Sequence, residues 1–289
     1  MWKEVSLNKP GRWPSGVRLP IIISVHHQSE EACVMFPDGQ PDPRDYYERQ
    51  YGGRCGAMRI VEIMAKHSVL GTWIICGATC EKYPDVSRTV IEQGHSIAGH
   101  GYAHEALSDL HPDQELEVIR KTVRVFEDKM GIHLRGWRTC AASHHTTDLL
   151  LKNFDFEWDA SIWNDDLPYL ITGHGKQFLE IPFSLYSDAA YTKNAGNQSP
   201  VNAFNTWEWN SPDMVLRTMK EQFDALYERG ETEAVLMPMT VHDFITGRPS
   251  RSKTFDEFLT YAKQFEGVVF TTHDEIRRWW MPNYECVAA

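Results

Sequence analysis

The chain has 289 residues, enough for one large α/β domain with a full core or for two small domains. With 42% hydrophobic and 24% charged residues, its composition is that of an ordinary globular protein. A net charge of −11 disfavours nucleic acid or an anionic membrane as partner.

Met1-Trp2-Lys3-Glu4 opens without the charged and apolar regions of a secretory signal, and Ile21-Ile22-Ile23 is far too short to span a bilayer. The expected location is cytoplasmic. No repeat, low-complexity tract or linker is visible, so residues 1–289 read as a single domain whose residues 1–19 form an irregular leader. The six cysteines, at 33, 55, 76, 80, 140 and 286, lack paired CxxC units. They read as thiols, with a zinc pair at Cys76 and Cys80 the less favoured alternative.

Strands are expected at Pro20–Val25, Leu70–Ile75, His95–Ala98, Phe178–Pro182, Ala234–Val241 and Gly267–Thr271, with a weaker one at Phe154–Ser161. The segment from Glu30 to Gly56 reads as a long irregular loop over the end of the first strand. Leu116, Ile119, Val123, Phe126 and Met130 recur at helical spacing, as do Leu216, Met219, Phe223 and Leu226. Ser211-Pro212 offers an N-cap and a first-position proline for the second of these helices. Thr254-x-x-Glu257 and Thr272-x-x-Glu275 read as capping boxes opening two late helices. Strands alternating with helices predict a mainly parallel sheet covered by helices, with chemistry at the carboxyl ends of the strands.

Four places along this frame could carry chemistry. His26-His27-Gln28-Ser29-Glu30-Glu31 crowds titratable groups at the end of the first strand, where a solvated strand-to-loop transition would look the same. His100 and His104, four residues apart, would share one helical face and could reach one metal ion. With 13 histidines in the chain, that spacing alone carries little weight. Arg138 and Asp159 could orient a catalytic histidine or a substrate carboxylate, or be surface ion-pair members. His242 ends another strand, where a histidine can serve as general acid or simply be a satisfied core residue.

Taken in order, these pieces resemble the polysaccharide deacetylase (NodB-homology) superfamily over roughly residues 17–281. His100 and His104 match its H-x-x-x-H motif, Gly136-Trp137-Arg138 approximates its arginine turn, Asp159 and Ser161 match its aspartate-before-serine motif, and His242 matches its final histidine. Tyr51-Gly52-Gly53-Arg54-x-Gly56-x-x-Arg59 and the stretch from His242 to Arg251 look like the branch of cofactor-independent allantoinase analogues, cyclic-imide hydrolases and a peptidoglycan-deacetylase homologue. The sequence departs at the first motif, where His26-His27-Gln28 stands in place of paired carboxylates, and at the third, which reads Thr139-Cys140-Ala141-Ala142.

The resemblance implies a deformed or incomplete (β/α) barrel of the NodB type, and a hydrolase of a non-peptide C–N bond. Two mechanisms follow. In the favoured one, His26, His100 and His104 hold a divalent metal, zinc being the expected ion, and His242, oriented by Asp159, protonates the leaving nitrogen. In the other no metal binds, and His26 or Glu30 activates water directly. Arg54, Arg138 and Trp163 are the expected substrate-binding residues, with Trp207 and Trp209 a second aromatic region. The preferred substrate is a small linear or cyclic amide (imide, hydantoin or allantoin-like). The alternatives are N-deacetylation of an N-acetyl sugar or peptidoglycan-type substrate, and a catalytically inactive relative that binds a ligand. The resemblance also implies a homo-oligomer, dimer or tetramer, acting on a small molecule.

Overall fold

The computed structural model describes residues 2–5, 7, 11–33, 35–36, 38–183, 188 and 211–285. Its spine is β2 (Leu19–His27), nine consecutive buried residues. Such a run fits a strand covered on both faces, as in parallel sheets flanked by helices. β2 pairs in parallel with β3 (Thr72–Ile75), β9 (Met237–His242) and β10 (Val268–Thr271). From β3 the parallel pairing continues through β4 (Ser96–Gly99), β5 (Gly136–Trp137) and β6 (Trp158–Asp159) to β8 (Lys176–Glu180). There it turns antiparallel, through β7 (Tyr169–Gly173) to β1 (Lys3–Val5). Among the described residues the sheet does not close on itself, as a deformed barrel requires.

Alternation along β2 separates two cores. Ile21, Ile23 and Val25 join the cluster of Trp73, Ile97 and Trp137 with the helices, whereas Ile22 joins Ile74, Ala98, Trp158, Leu179 and Trp280. With a side-chain period of two, His26 continues the Ile22 face and His27 the Ile21 face. That parity sends the two adjacent histidines to different environments.

The helices are α1 (Pro43–Tyr51), α2 (Ala57–His67), α3 (Gly77–Lys82), α4 (Pro84–Glu92), α5 (Pro112–Met130), α6 (Thr146–Asn153), α7 (Pro212–Arg229), α8 (Pro249–Ala262), α9 (His273–Trp280) and α10 (Pro282–Glu285). Ser211 caps α7, its hydroxyl accepting from the Met214 amide at 3.2 Å, and Thr272 caps α9 the same way through Glu275.

Three expectations are corrected. The Glu30–Gly56 segment is largely helical, with a 3-10 turn at Ser29–Ala32, α1 capped by Asp42, and a π-helical turn at Gly52–Gly56. Thr254 opens no helix: α8 has already begun at Pro249, and the Thr254 hydroxyl donates to the Ser250 carbonyl one turn back. Within the leader, β1 adds an edge strand to β7. Trp207, Trp209 and Cys286 lie outside the described residues.

Candidate active site

Four imidazoles gather at the carboxyl ends of β2, β4 and β9. His26 and His242 are register partners across β2 and β9, with ring centroids 4.9 Å apart. His100 lies 4.9 Å from His26, and His104 lies 4.9 Å from His100. The expected helical face for His100 and His104 is not what joins them. Residues 100–104 form a tight turn with Gly101 at φ 75° and His104 at φ 57°, both in the left-handed region. The Glu105 carboxylate holds that turn by accepting from the amides of Tyr102 and Ala103 at 2.9 and 3.0 Å.

His100 Nδ1 donates to the Arg138 carbonyl at 2.6 Å, which leaves Nε2 as the basic nitrogen. Nε2 of His100 and of His26 are buried without a hydrogen-bond partner. Burial pushes both imidazoles well below the usual histidine range, and the neighbouring imidazoles and Arg138 push the same way. Both are therefore neutral at physiological pH.

His242 is held by a residue that sequence reasoning missed. Nδ1 donates to Asp188 Oδ1 at 2.5 Å, while Asp188 Oδ2 accepts from the His242 amide and from the Thr246 hydroxyl, each at 2.7 Å. The expected partner, Asp159, does not contact His242. It accepts from Ser161 Oγ at 2.7 Å and lies opposite Glu180, its register partner across β6 and β8. Burial raises the Asp159 carboxyl to about 6 and Glu180 well above the carboxylate range, and the nearby Asp159 charge pushes Glu180 further the same way.

Arg138 is buried, with its guanidinium 4.1 Å over the Phe183 ring and hydrogen-bonded to the Thr139 carbonyl. Burial lowers it to about 10, against the attraction of Asp159. It bears on the site as a buried charge beneath Phe183 rather than as an exposed clamp. Trp163, 54% exposed, packs 5.8 Å from Phe183, and Phe183 lies 6.0 Å from His26, so an aromatic wall leads from solvent to the imidazoles.

The structure sets two expected residues apart. Glu30 is buried, and its carboxylate is taken up by Lys82, the Tyr83 hydroxyl and Gln50. Although burial opposes ionisation, Lys82 and the other donors hold it below its ordinary value, as a locked ion-pair member. Arg54 is exposed and lines an open pocket of about 610 Å³ with Tyr47, Glu48, Tyr51, Cys55 and Arg248, none of them a member of the histidine cluster. Cys140, which sequence reading placed merely as a thiol in a degenerate turn, has its sulfur 3.4 Å from His104 Nδ1.

The open, mainly parallel barrel that carries these imidazoles is similar to NodB-type deacetylase structures. The polysaccharide deacetylase family model matches residues 30–156. It is 25% identical over 264 residues to a peptidoglycan deacetylase of Helicobacter pylori, spanning 82% of this chain and 88% of that protein. It is 27% identical over 253 residues to a putative polysaccharide deacetylase of Schizosaccharomyces pombe, spanning 81% and 75%. The crystal structure of Puue allantoinase superposes with a TM-score of 0.85 at 25% identity, covering 95% of this chain and 94% of that one. Family members are hydrolases acting on C–N bonds other than peptide bonds.

Such deacetylases generally use a divalent metal. Among the described residues, no three His, Cys, Asp or Glu side chains are drawn in around one point. The donors nevertheless fit in kind: His26 and His100 present buried, partnerless and neutral nitrogens, the state in which imidazole binds metal. Among the described residues, no helix is long and apolar enough to cross a membrane.

Proposed function

We propose that the chain is an N-deacetylase that hydrolyses the acetyl–nitrogen bond of an N-acetylated amino sugar. The observation that carries this reading is the His242–Asp188 pair set beside the neutral His26 ring. Asp188 fixes the His242 tautomer with Nδ1 protonated, so its Nε2 exchanges protons with the substrate. His242 donates to the departing sugar nitrogen as the C–N bond breaks, and Asp188 stabilises the imidazolium before that transfer. His26, neutral and partnerless at Nε2, takes the proton of the attacking water. In the alternative scheme, where His26 joins His100 and His104 as ligand instead of acting as base, a divalent ion, zinc the expected one, would polarise water and the acyl oxygen. Trp163 and Phe183 offer a stacking wall for the apolar face of a sugar ring.

The curated relatives supporting this reading span most of the chain and are peptidoglycan and polysaccharide deacetylases. A second reading, hydrolysis of a small cyclic amide of the allantoin or imide type, draws on the likeness to the allantoinase structure. In both readings the substrate is a small molecule in the cytoplasm. Exposed Met35, Phe36 and Tyr47 agree with assembly as a dimer or tetramer.

The test is a substrate panel of N-acetylglucosamine and its oligomers against hydantoins, imides and allantoin. Acetate release that disappears in His242→Ala and His100→Ala is the expected result. Ring opening without acetate release selects the second reading, and binding without turnover across the panel overturns both. Full activity in chelator-stripped, metal-free protein removes the metal from the scheme.

A further inference from the structure

We infer that the buried His27–Asp243 pair is a positioning pair for catalysis: it locks the ends of β2 and β9 together so that His26 and His242 keep their separation. This rests on the reading above that His26 and His242 move protons to and from the substrate. His27 and Asp243 each follow one of these histidines directly in the chain.

His26 and His242 are the last register pair of the parallel β2–β9 ladder, and the Asp243 amide donates to the His26 carbonyl at 3.1 Å. Past that bond the strands part. β2 runs into the 3-10 turn, where Ser29 sits at φ 46° in the left-handed region, and β9 runs into a turn at Phe244. The Asp243 carboxylate spans the parting. Oδ2 accepts from His27 Nδ1 at 2.7 Å and from the Ser29 amide at 3.1 Å, while Oδ1 accepts from the Phe244 amide at 2.7 Å. A β2 side chain, the turn after β2 and the turn after β9 are thus tied to one group. Both members of the pair are wholly buried, and a side-chain carbon at Gly52 would lie 2.4 Å from the carboxylate carbon, so the backbone after α1 closes over it. Away from water, such a hydrogen bond to a carboxylate is short and strong.

Stability alone does not call for this pair. Ile21, Ile23 and Val25 fill the same face of β2, and an aliphatic residue at position 27 would continue that core. A buried polar pair adds little stability over a hydrophobic one, but it fixes one geometry. The His27 ring packs with its centroid 6.2 Å from Trp73 and 6.1 Å from Tyr83, and its Nε2 has no hydrogen-bond partner among the described residues. Its hydrogen bonding is therefore directed through Nδ1 to Asp243. Geometry is what the neighbouring site needs, since a shift of about 1 Å in a reacting group costs on the order of 10²-fold in rate.

Two amides at position 27 test this. Asn puts its NH₂ near the place of Nδ1–H, whereas Gln puts it near Nε2, out of reach of Asp243. His27→Gln should lower kcat for acetate release from N-acetylglucosamine oligomers by about 10–100-fold with KM within about twofold. His27→Asn should hold kcat within about threefold of wild type. Asp243→Asn, which cannot accept on both sides, should match His27→Gln, and the double variant His27→Gln/Asp243→Asn should be no worse than either single, as for residues acting as one unit. Asp256→Ala, which loses the contacts of α8 with Lys66 and His67, should unfold at lower urea yet keep kcat, separating lost stability from lost positioning. Ring ¹⁵N signals of His26 and His242 should move in His27→Gln and stay in place in His27→Asn. An active wild type whose kcat changes equally in His27→Gln and His27→Asn, whose losses multiply in the double variant, or whose ring signals stay put in His27→Gln overturns the positioning pair and leaves the reading of function standing. A wild type without turnover overturns that reading, and the catalytic role of the pair falls with it.

Discussion

At the scale of single residues, the chemistry turns on how one histidine is held. Asp188 makes three hydrogen bonds to the segment it orients: one to the ring, one to the backbone of the same residue, and one to Thr246. Replacing it with asparagine keeps the shape but offers the ring an amide in place of a carboxylate. We expect Asp188→Asn to lower kcat by about 10²–10⁴-fold with KM nearly unchanged, the behaviour of a group that orients a proton-transferring histidine. Steady-state kinetics check this, and a kcat within twofold of wild type would remove Asp188 from its role. His242 was legible because an apolar strand runs straight into a polar pair. Asp188 was not, because nothing periodic marks its neighbourhood and its partner is 54 residues away. Cys140 was visible as a departure from the family turn, but its proximity to His104 comes from folding two turns together.

At the scale of elements, the π-helical turn Gly52–Gly56 decides how the end of β9 is supported. A side chain carbon at Gly56 would sit 2.0 Å from the Asp243 carbonyl oxygen, and one at Gly247 would sit 2.2 Å from the same atom. Asp243 in turn accepts from buried His27 Nδ1 at 2.7 Å and from the Ser29 amide at 3.1 Å. The glycines therefore let the turn press against the strand end that carries His242. Gly56→Ala should destabilise the protein by about 1–3 kcal/mol through overpacking against backbone. Urea unfolding would show this as a lower midpoint with an unchanged slope; an unchanged midpoint would mean the turn can yield. The motif Tyr51–Arg59 was recognisable in sequence, but its packing role was not. Its glycines pack, Arg59 bonds Tyr51 and Gly247, and Arg54 faces a separate pocket. Capping rules placed α7 and α9 correctly but not α8, where Pro249 at the first helical position starts the helix before Thr254 can act. The two-residue strands β5 and β6 gave little signal, being too short to show a period.

At the scale of the whole molecule, two sets of buried titratable groups oppose each other across the pH range. His26, His95, His100 and His273 are all lowered, chiefly by burial, with His273 pushed to about 3. Their contribution to stability is complete above about pH 6.5 and is lost as the pH falls below it, because the unfolded chain then binds protons that the fold refuses. Asp159 and Glu180 act the other way. Both are raised chiefly by burial, Glu180 further by the neighbouring Asp159, so they favour the fold at low pH and lose that contribution as the pH rises through about 6 and beyond. Glu180→Gln removes one carboxyl. Its amide oxygen can still accept from the Ile162 amide, as Glu180 Oε1 does at 2.8 Å, and its NH₂ can donate to the partnerless Asp159 Oδ2. The strongly raised Glu180 carboxyl is gone, and the alkaline penalty shrinks. We expect the variant to gain about 1–3 kcal/mol at pH 8 relative to its change at pH 5. Its stability should still fall below pH 6, because the buried histidines are unchanged. Denaturant unfolding at pH 5, 6.5 and 8 reads both limbs. If wild type and variant run parallel from pH 5 to pH 8, the carboxyl pair does not share its charge as the buried geometry implies.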